Sequence, residues 1–547
     1  MNPVPQSAQQ RVITTLVFLL PLVSYFLFLG STPLFDVDEG AFSEATREMF
    51  ERGDFLSTYL NGEHRFDKPI LVYWLQAIGY LIFGASEWAF RLPSAVCAAV
   101  WSYAAWHFAR ERFGPDAAIA ALAVAATAIG PFAIGRAATA DALLNMLLAL
   151  SLFDAWRHLE SGRRAPLLRS YVWIGLGVLT KGPIALIVPG AVTFLYCASK
   201  LEWKRWLRSV FDPQGWIILA VLVVPWYAAA LIIHGQNFID GFILKHNVER
   251  FTGTLEGHAG SLFYYVFAVP LLMLPWTGPL LASLRHLRSD AGTGVRRFLW
   301  LWAGFVVVFF SLSGTKLPHY VLYGSTPLFL LIAAHRDSLR REWPHLIAPL
   351  VALVLFAAFP LILQTLSQGE AGNAYYRAQL GEALSAAGIG YYAATLGALA
   401  LWLAVCLRTR IPLWNKLLLG ATLQVLLLAS VVSPWIGQVL QGPVKAAAAV
   451  ARSQEGNVVA WKIDAPSFSV YRQAVTPSRE PEPGEMAITR FDRVPAEGYE
   501  RLFQQGGVAL VRRLPEQPSV ETAPVEEPAP ASPPPAGNEN NTETPGQ

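Results

Sequence analysis

Carboxylates and cations stand together at several points of a chain that is otherwise poor in charge. Asp36, Asp38 and Glu39 crowd one short stretch, and Arg65-Phe66-Asp67-Lys68 follows. Arg136 precedes Asp141, Lys181 separates two apolar runs, and Lys245-His246-Asn247 leads into Glu249 and Arg250. Residues 316–320 read Lys-Leu-Pro-His-Tyr. Asp38, Glu39 and Asp141 have the chemistry to accept a proton from an attacking hydroxyl, or to stabilise positive charge developing on a sugar ring. Lys68, Lys181, Arg250 and Lys316 suit the grip on a phosphate and on the charge it gains as it leaves. Asp67, Arg136, His246 and Tyr320 complete a substrate-binding set. Together these types point to transfer from a lipid-linked phosphate. Asp36-x-Asp38 is also the spacing of two hard oxygen ligands for a divalent cation, but a lone three-residue pattern does not require a metal.

Each residue has a plainer use. Ser43, Glu44, Arg47 and Glu48 fall at helical spacing and read equally as the solvated face of an amphipathic helix. Asp38 and Glu39 at its start favour the helix dipole, Lys181 could snorkel to an interface, and His246 alone reads as a loop histidine. Convergence favours the functional reading, because the elements that carry these residues bring them to one side.

Those elements are membrane spans. Of the 547 residues 54% are hydrophobic and only 15% charged, against roughly a quarter charged in soluble chains. The 42 basic and 39 acidic residues leave a net charge of +3, which gives no footing for a nucleic-acid partner. Cys97, Cys197 and Cys406 all fall in apolar segments, so no disulfide framework is expected. Runs of about 20 apolar residues, each read with its basic flank, predict about thirteen spans within residues 1–441. The first, after Arg11, is a signal anchor, which puts the N-terminus in the cytoplasm of a bacterial cell and the chain in its inner membrane. The run at residues 70–83 is too short to span, and parity of the basic clusters makes it an interfacial helix with Tyr73, Trp74 and Tyr80 at headgroup depth. Residues 31–90 form a first periplasmic loop. From 442 to 514 short β-like runs at 458–461, 468–471 and 508–511 predict a small periplasmic α/β domain. The Pro/Glu-rich residues 515–547 read as a disordered tail.

Several ordered blocks carry a family likeness: Asp38-Glu39-Gly40, Arg47-Glu48-Met49, Leu60-Asn61-Gly62, Phe66-Asp67-Lys68-Pro69, Arg91-Leu92-Pro93-Ser94-Ala95, Leu179-Thr180-Lys181-Gly182-Pro183 and residues 246–251. They resemble the bacterial lipid A aminoarabinosyl transferases (ArnT-like), which belong with the protein O-mannosyltransferases among the GT-C glycosyltransferases. The resemblance implies an all-α polytopic GT-C membrane domain and an enzyme that takes a sugar from a polyprenyl (undecaprenyl) phosphate in the membrane lipid to a periplasmic acceptor. Aminoarabinose onto lipid A leads. A related lipopolysaccharide modification, a protein hydroxyl as acceptor, or a transporter of lipid-linked sugars are the alternatives. In the resemblance Asp38 matches the essential acid of the first loop, Asp141 a second cavity carboxylate, Lys68 the lysine against the lipid phosphate, and Arg250 a residue helping to bind it. Asp67, where the family often has Glu, and His319 depart from the pattern.

Overall fold

The computed structural model describes residues 8–249, 260–369, 373–381, 383–515 and the isolated residue 532. Its membrane part is helical. Helix α1 (Ala8–Phe26) is followed by α2 (Asp38–Arg52) and α3 (Leu71–Phe83), then by the long α4 (Glu87–Phe113), α5 (Pro115–Thr127) and α6 (Ile129–Gly135). An antiparallel pair comes next, α7 (Asp141–Ser161) and α8 (Arg164–Lys181), then α9 (Ile184–Ala198), α10 (Trp203–Val210) and α11 (Pro213–His234).

The local sequence explains the ends. Ser86 caps α4 by accepting the Ala89 N–H at 3.3 Å. Gly162, at φ 70°, closes α7 so that α8 can fold straight back, and Gly182, at φ 74°, stops α8 directly after Lys181. Both take a backbone region that only glycine enters at little cost. Helix α5 is mostly alanine and is buried along nearly its whole length. Its small side chains let α1, α4 and the helix Ser325–Ala334 pack closely around it.

Among the described residues five helices are long and apolar enough to cross a membrane. They are Pro213–His234, Gly294–Leu312, Trp343–Gln368, Ile389–Cys406 and the continuous Leu413–Arg452. The pair α5 and α6, bent by 60°, makes a sixth if taken as one span. This is fewer than the thirteen expected runs, since helices such as α4, α7 and α8 carry charged turns within their length. Helix α3 has 13 residues, about 20 Å of rise, short of the roughly 30 Å of hydrocarbon. Its outward face is Ile78, Leu81, Ile82 and Phe83. The aromatic rings expected at the interface turn inward instead. Tyr73 is buried against Phe42 with ring centroids 5.4 Å apart, and Tyr80 stacks on Phe50 at 4.5 Å.

Between α2 and α3 a hairpin pairs β1 (Tyr59–Leu60) with β2 (Glu63–His64). Asn61 and Gly62 turn it with φ of 54° and 92°, the positive pair that a two-residue hairpin loop needs and that Asn-Gly supplies.

The C-terminal part holds a mixed sheet in the order β3-β4-β6-β5, formed by Val458–Ala460, Met486–Arg490, Val508–Arg513 and Tyr499–Gln505. Strands β3 and β4 are parallel and the other neighbours antiparallel. Two expectations need correction. Residues 468–471 are not a strand but lie in the helix Ser467–Arg472. Position 442 is not a boundary, because one helix continues through it to Arg452. The expected tail falls almost wholly outside the described residues.

This C-terminal part sits on α2. Asp36 accepts hydrogen bonds from the backbone N–H of Ser467 at 2.8 Å and from its hydroxyl at 2.6 Å. Tyr471 donates to Glu87 at 3.1 Å and receives the Leu34 N–H at 2.7 Å. The face of α2 that could have been solvated is therefore covered. Glu44, Arg47 and Glu48 are buried, and Arg47 binds both oxygens of Glu44 at 2.7 and 2.8 Å.

Candidate active site

One cavity of about 260 Å³ is walled by the start of α2, the Asp67-Lys68 turn before α3, the start of α7, the end of α8 and residues 317–320. It collects Asp38, Asp67, Lys68, Asp141, Lys181 and Tyr320 from positions spread over most of the membrane part. Three of them stand at helix ends for a local reason. Asp38 and Asp141 open helices, where a carboxylate meets the positive end of the dipole. Lys181 closes one, where a cation meets the negative end.

The cations are held by carboxylates. Lys181 Nζ is 2.6 Å from Asp141 Oδ1, which also receives the Tyr323 hydroxyl at 3.2 Å. The same ammonium lies 5.6 and 5.8 Å from the ring centres of Tyr323 and Tyr320, within cation–π range. Lys68 Nζ pairs with Asp67 Oδ1 at 2.5 Å, Arg65 binds Asp67 Oδ2 at 2.9 Å, and His246 Nδ1 is 3.0 Å from Asp67 Oδ1. Burial alone would raise the Asp67 carboxyl, but Lys68, His246 and Arg65 outweigh it and hold it well below the usual carboxylate range. Asp67 therefore stays ionised and keeps its cations in place. Asp38 differs. It is exposed at the cavity wall and has no ion pair among the described residues.

Not every expected residue reaches this cavity. Glu39 turns away from it and accepts both arms of Arg91, at 2.7 and 2.8 Å, together with the N–H groups of Phe35 and Ala138 at 3.0 and 2.7 Å. All its acceptor capacity is spent tying α2 and α4 to the segment that leads into Asp141, so it positions the site and does not face it. Arg136 donates to the carbonyls of Ser24, Leu27 and Phe28 at 2.8–3.0 Å, satisfying the orphan acceptors at the end of α1. Asp36 is occupied by Ser467 and does not share a site with Asp38, so the two form no chelating pair. No group of three or more His, Cys, Asp or Glu among the described residues is placed to hold a metal ion. Lys316 donates to the Ser313 carbonyl at 2.7 Å and is not among the residues lining the cavity. Arg250 lies outside the described residues.

Residues 67–228, which carry Asp67, Lys68, Asp141 and Lys181, match the family model described as dolichyl-phosphate-mannose-protein mannosyltransferase. A relative named undecaprenyl phosphate-alpha-4-amino-4-deoxy-L-arabinose arabinosyl transferase 2, from Pseudomonas fluorescens, is 29% identical over 59% of this chain and 59% of its own length. An uncharacterized protein of Aquifex aeolicus is 28% identical over 62% of this chain and 77% of its own. The crystal structure of ArnT from Cupriavidus metallidurans bound to undecaprenyl phosphate superposes with a TM-score of 0.76, covering 92% of this chain and 98% of that one at 22% identity. The chain shares the fold of that ArnT. The matched stretch spans under two thirds of the Pseudomonas fluorescens transferase, whereas the likeness in fold to ArnT covers nearly the whole of both chains.

The structure adds three residues to those expected at the site. His319 lines the cavity, Tyr323 donates to Asp141, and Thr139, which also lines it, reaches Asp141 Oδ2 at 3.4 Å. Only His319 carried a signal, its place between Lys316 and Tyr320. Tyr323 and Thr139 look like ordinary membrane-helix residues until the chain is folded.

Proposed function

We propose that the protein is an integral membrane glycosyltransferase that moves a sugar from a polyprenyl phosphate to an acceptor on the periplasmic side, with aminoarabinose and lipid A as the leading pair. The observation that carries this is the meeting of Lys68, Lys181, Asp141 and Asp38, the last without an ion pair among the described residues, in one cavity. The names of the curated relatives support the substrates. In this reading about thirteen runs cross the inner membrane with the N-terminus in the cytoplasm, and the C-terminal sheet lies in the periplasm.

The donor phosphate lies against Lys68 and Lys181. An acceptor oxygen attacks the anomeric carbon, the bond from that carbon to the phosphate oxygen breaks, and polyprenyl phosphate leaves with the electron pair. The two ammonium groups offset its growing charge, pre-placed by Asp67 and Asp141 so that little reorganisation accompanies the step. The work of Asp38 depends on the acceptor. A hydroxyl has a proton to lose, and the exposed carboxylate receives it. A lipid A phosphate is already ionised near neutral pH, and Asp38 then stabilises charge on the sugar ring and orients it. A transporter would place its charges near the bilayer midplane, whereas these cluster at the ends of helices.

The test is to give purified protein candidate polyprenyl-phosphate sugars with lipid A or with a peptide hydroxyl acceptor, and to measure release of polyprenyl phosphate. Asp38→Asn is expected to abolish release while the protein stays folded. Full activity in that variant removes Asp38 from the mechanism, and movement of donor across liposomes without release favours transport.

A further inference from the structure

A second cavity, of about 540 Å³, lies apart from the candidate active site. It opens between α1, the far end of α4, the start of α5 and the segment at residues 410–418, with Arg336 closing one side. Helix α4 gives its position. Arg91, bound to Glu39 near the candidate site, and Arg110, in this cavity, are 19 residues apart on one helix. That is about 28 Å of rise, close to the thickness of a bilayer's hydrocarbon. With α4 taken as one of the thirteen spans, the two cavities face opposite sides of the membrane.

Three arginines drawn from distant parts of the chain, Arg110, Arg336 and Arg410, line it against one carboxylate, Asp116. That carboxylate is taken: Arg336 lies 3.3 Å from Asp116 Oδ2 and donates to the Asp116 carbonyl at 2.8 Å. Arg110 and Arg410 are exposed and have no carboxylate partner among the described residues. Two indoles form walls, Trp106 beneath Arg110 and Trp414 tilted against Trp276 with centroids 5.1 Å apart. Deeper in, Val17 and Leu418 make the lining apolar. Beside the opening, Val12 and Leu16 of α1 turn outward at 58% and 60% exposure, the apolar face that meets lipid chains.

We infer that this cavity binds the headgroup of one anionic phospholipid, its phosphodiester between Arg110 and Arg410 and its glycerol and upper chains against the tryptophans and Val17. Guanidinium forks match phosphate oxygens in pairs, and indoles suit the depth where apolar chain meets polar headgroup. An arginine-rich membrane face by itself records only orientation. Two guanidiniums with no carboxylate partner among the described residues, over an aromatic-walled cavity with an apolar floor, form a binding site. The inference is independent of the transfer reaction, and none of its residues lines the candidate active site.

Native mass spectrometry of the full chain in mild detergent tests this, with phosphatidylglycerol and phosphatidylcholine offered at equal concentration. One tightly held phosphatidylglycerol is expected, and Arg110→Gln with Arg410→Gln should weaken its retention by about tenfold or more. Arg408→Gln, an exposed arginine outside the cavity, should leave it unchanged and shows that net charge alone is not responsible. Equal retention of phosphatidylcholine, or undiminished phosphatidylglycerol in the double variant, overturns the inference. Displacement of the lipid by millimolar inorganic phosphate also overturns it, by making the cavity a site for the free anion.

Discussion

Lys181→Met removes a cation while keeping the length of its stem, and the structure sets two separate consequences. The first is structural. Lys181 and Asp141 are only 12% and 10% exposed, and without the ammonium Asp141 retains the Tyr323 hydroxyl and the weaker Thr139 contact. Leaving one member of a buried pair uncompensated costs about 3–5 kcal/mol. The second is kinetic. Loss of a donor pre-aimed at a leaving phosphate costs about 10²–10³ in turnover, as for one oxyanion-binding donor. The double variant Lys181→Met with Asp141→Asn separates them, because it removes both charges at once. It should recover most of the thermal stability lost in the single variant yet stay as inactive. The assay pairs a melting curve in detergent with single-turnover release of polyprenyl phosphate. If the double variant regains transfer along with stability, the ion pair only holds α7 and α8 together, and the assignment of Lys181 to the donor phosphate is wrong.

Three further outcomes follow from the geometry. Glu39→Gln leaves the buried Arg91 facing a neutral amide and should destabilise the protein by about 3–5 kcal/mol, read as a lowered melting temperature, with a fall in transfer no larger than the unfolded fraction explains. Gly40→Ala puts a Cβ 2.2 Å from Asp36 Oδ1 and 2.6 Å from the Ser467 nitrogen. It should cost about 1–3 kcal/mol of overpacking and expose residues 453–457, after the last long helix, to added protease. Burial pushes the Asp36 carboxyl up to about 7, against the lowering effect of its bonds from Ser467. The docked form therefore holds a proton that the undocked form gives up near the ordinary value of 3.8. Docking is strongest below about pH 4 and weakens as pH rises toward 7, so protease cleavage of the same segment should increase over that range. Asp36→Asn should flatten the dependence, and an unchanged slope would remove Asp36 as its source.

What was legible in the sequence, and what was not, follows from how far each argument depends on side-chain direction. Residue type and order sufficed to single out Asp38, Asp67, Lys68, Asp141 and Lys181, which the fold brings to one cavity, because charges are costly at membrane depth and few positions carry them. Direction defeated the rest. Consecutive helical residues point about 100° apart, so Asp38 and Glu39 at the start of α2 cannot both face one cavity, and nothing in Asp-Glu-Gly says which one does. The answer comes from Arg91, 52 positions away. The buried face of α2 was hidden for a related reason: Glu44, Arg47 and Glu48 have the spacing of a salt-bridged surface helix, and only the C-terminal part covering them makes them interior. The β-like run at residues 468–471 is four residues long, too few to separate a period of 2 from one of 3.6. They form a helix because Asp36, more than 400 positions earlier, takes up the backbone N–H and the hydroxyl of Ser467 at its start. Asp36 thus links two regions that sequence reading kept apart. It spends on domain docking the carboxylate that its spacing from Asp38 had offered to a metal, and it leaves Asp38 as the one carboxylate of that stretch facing the cavity.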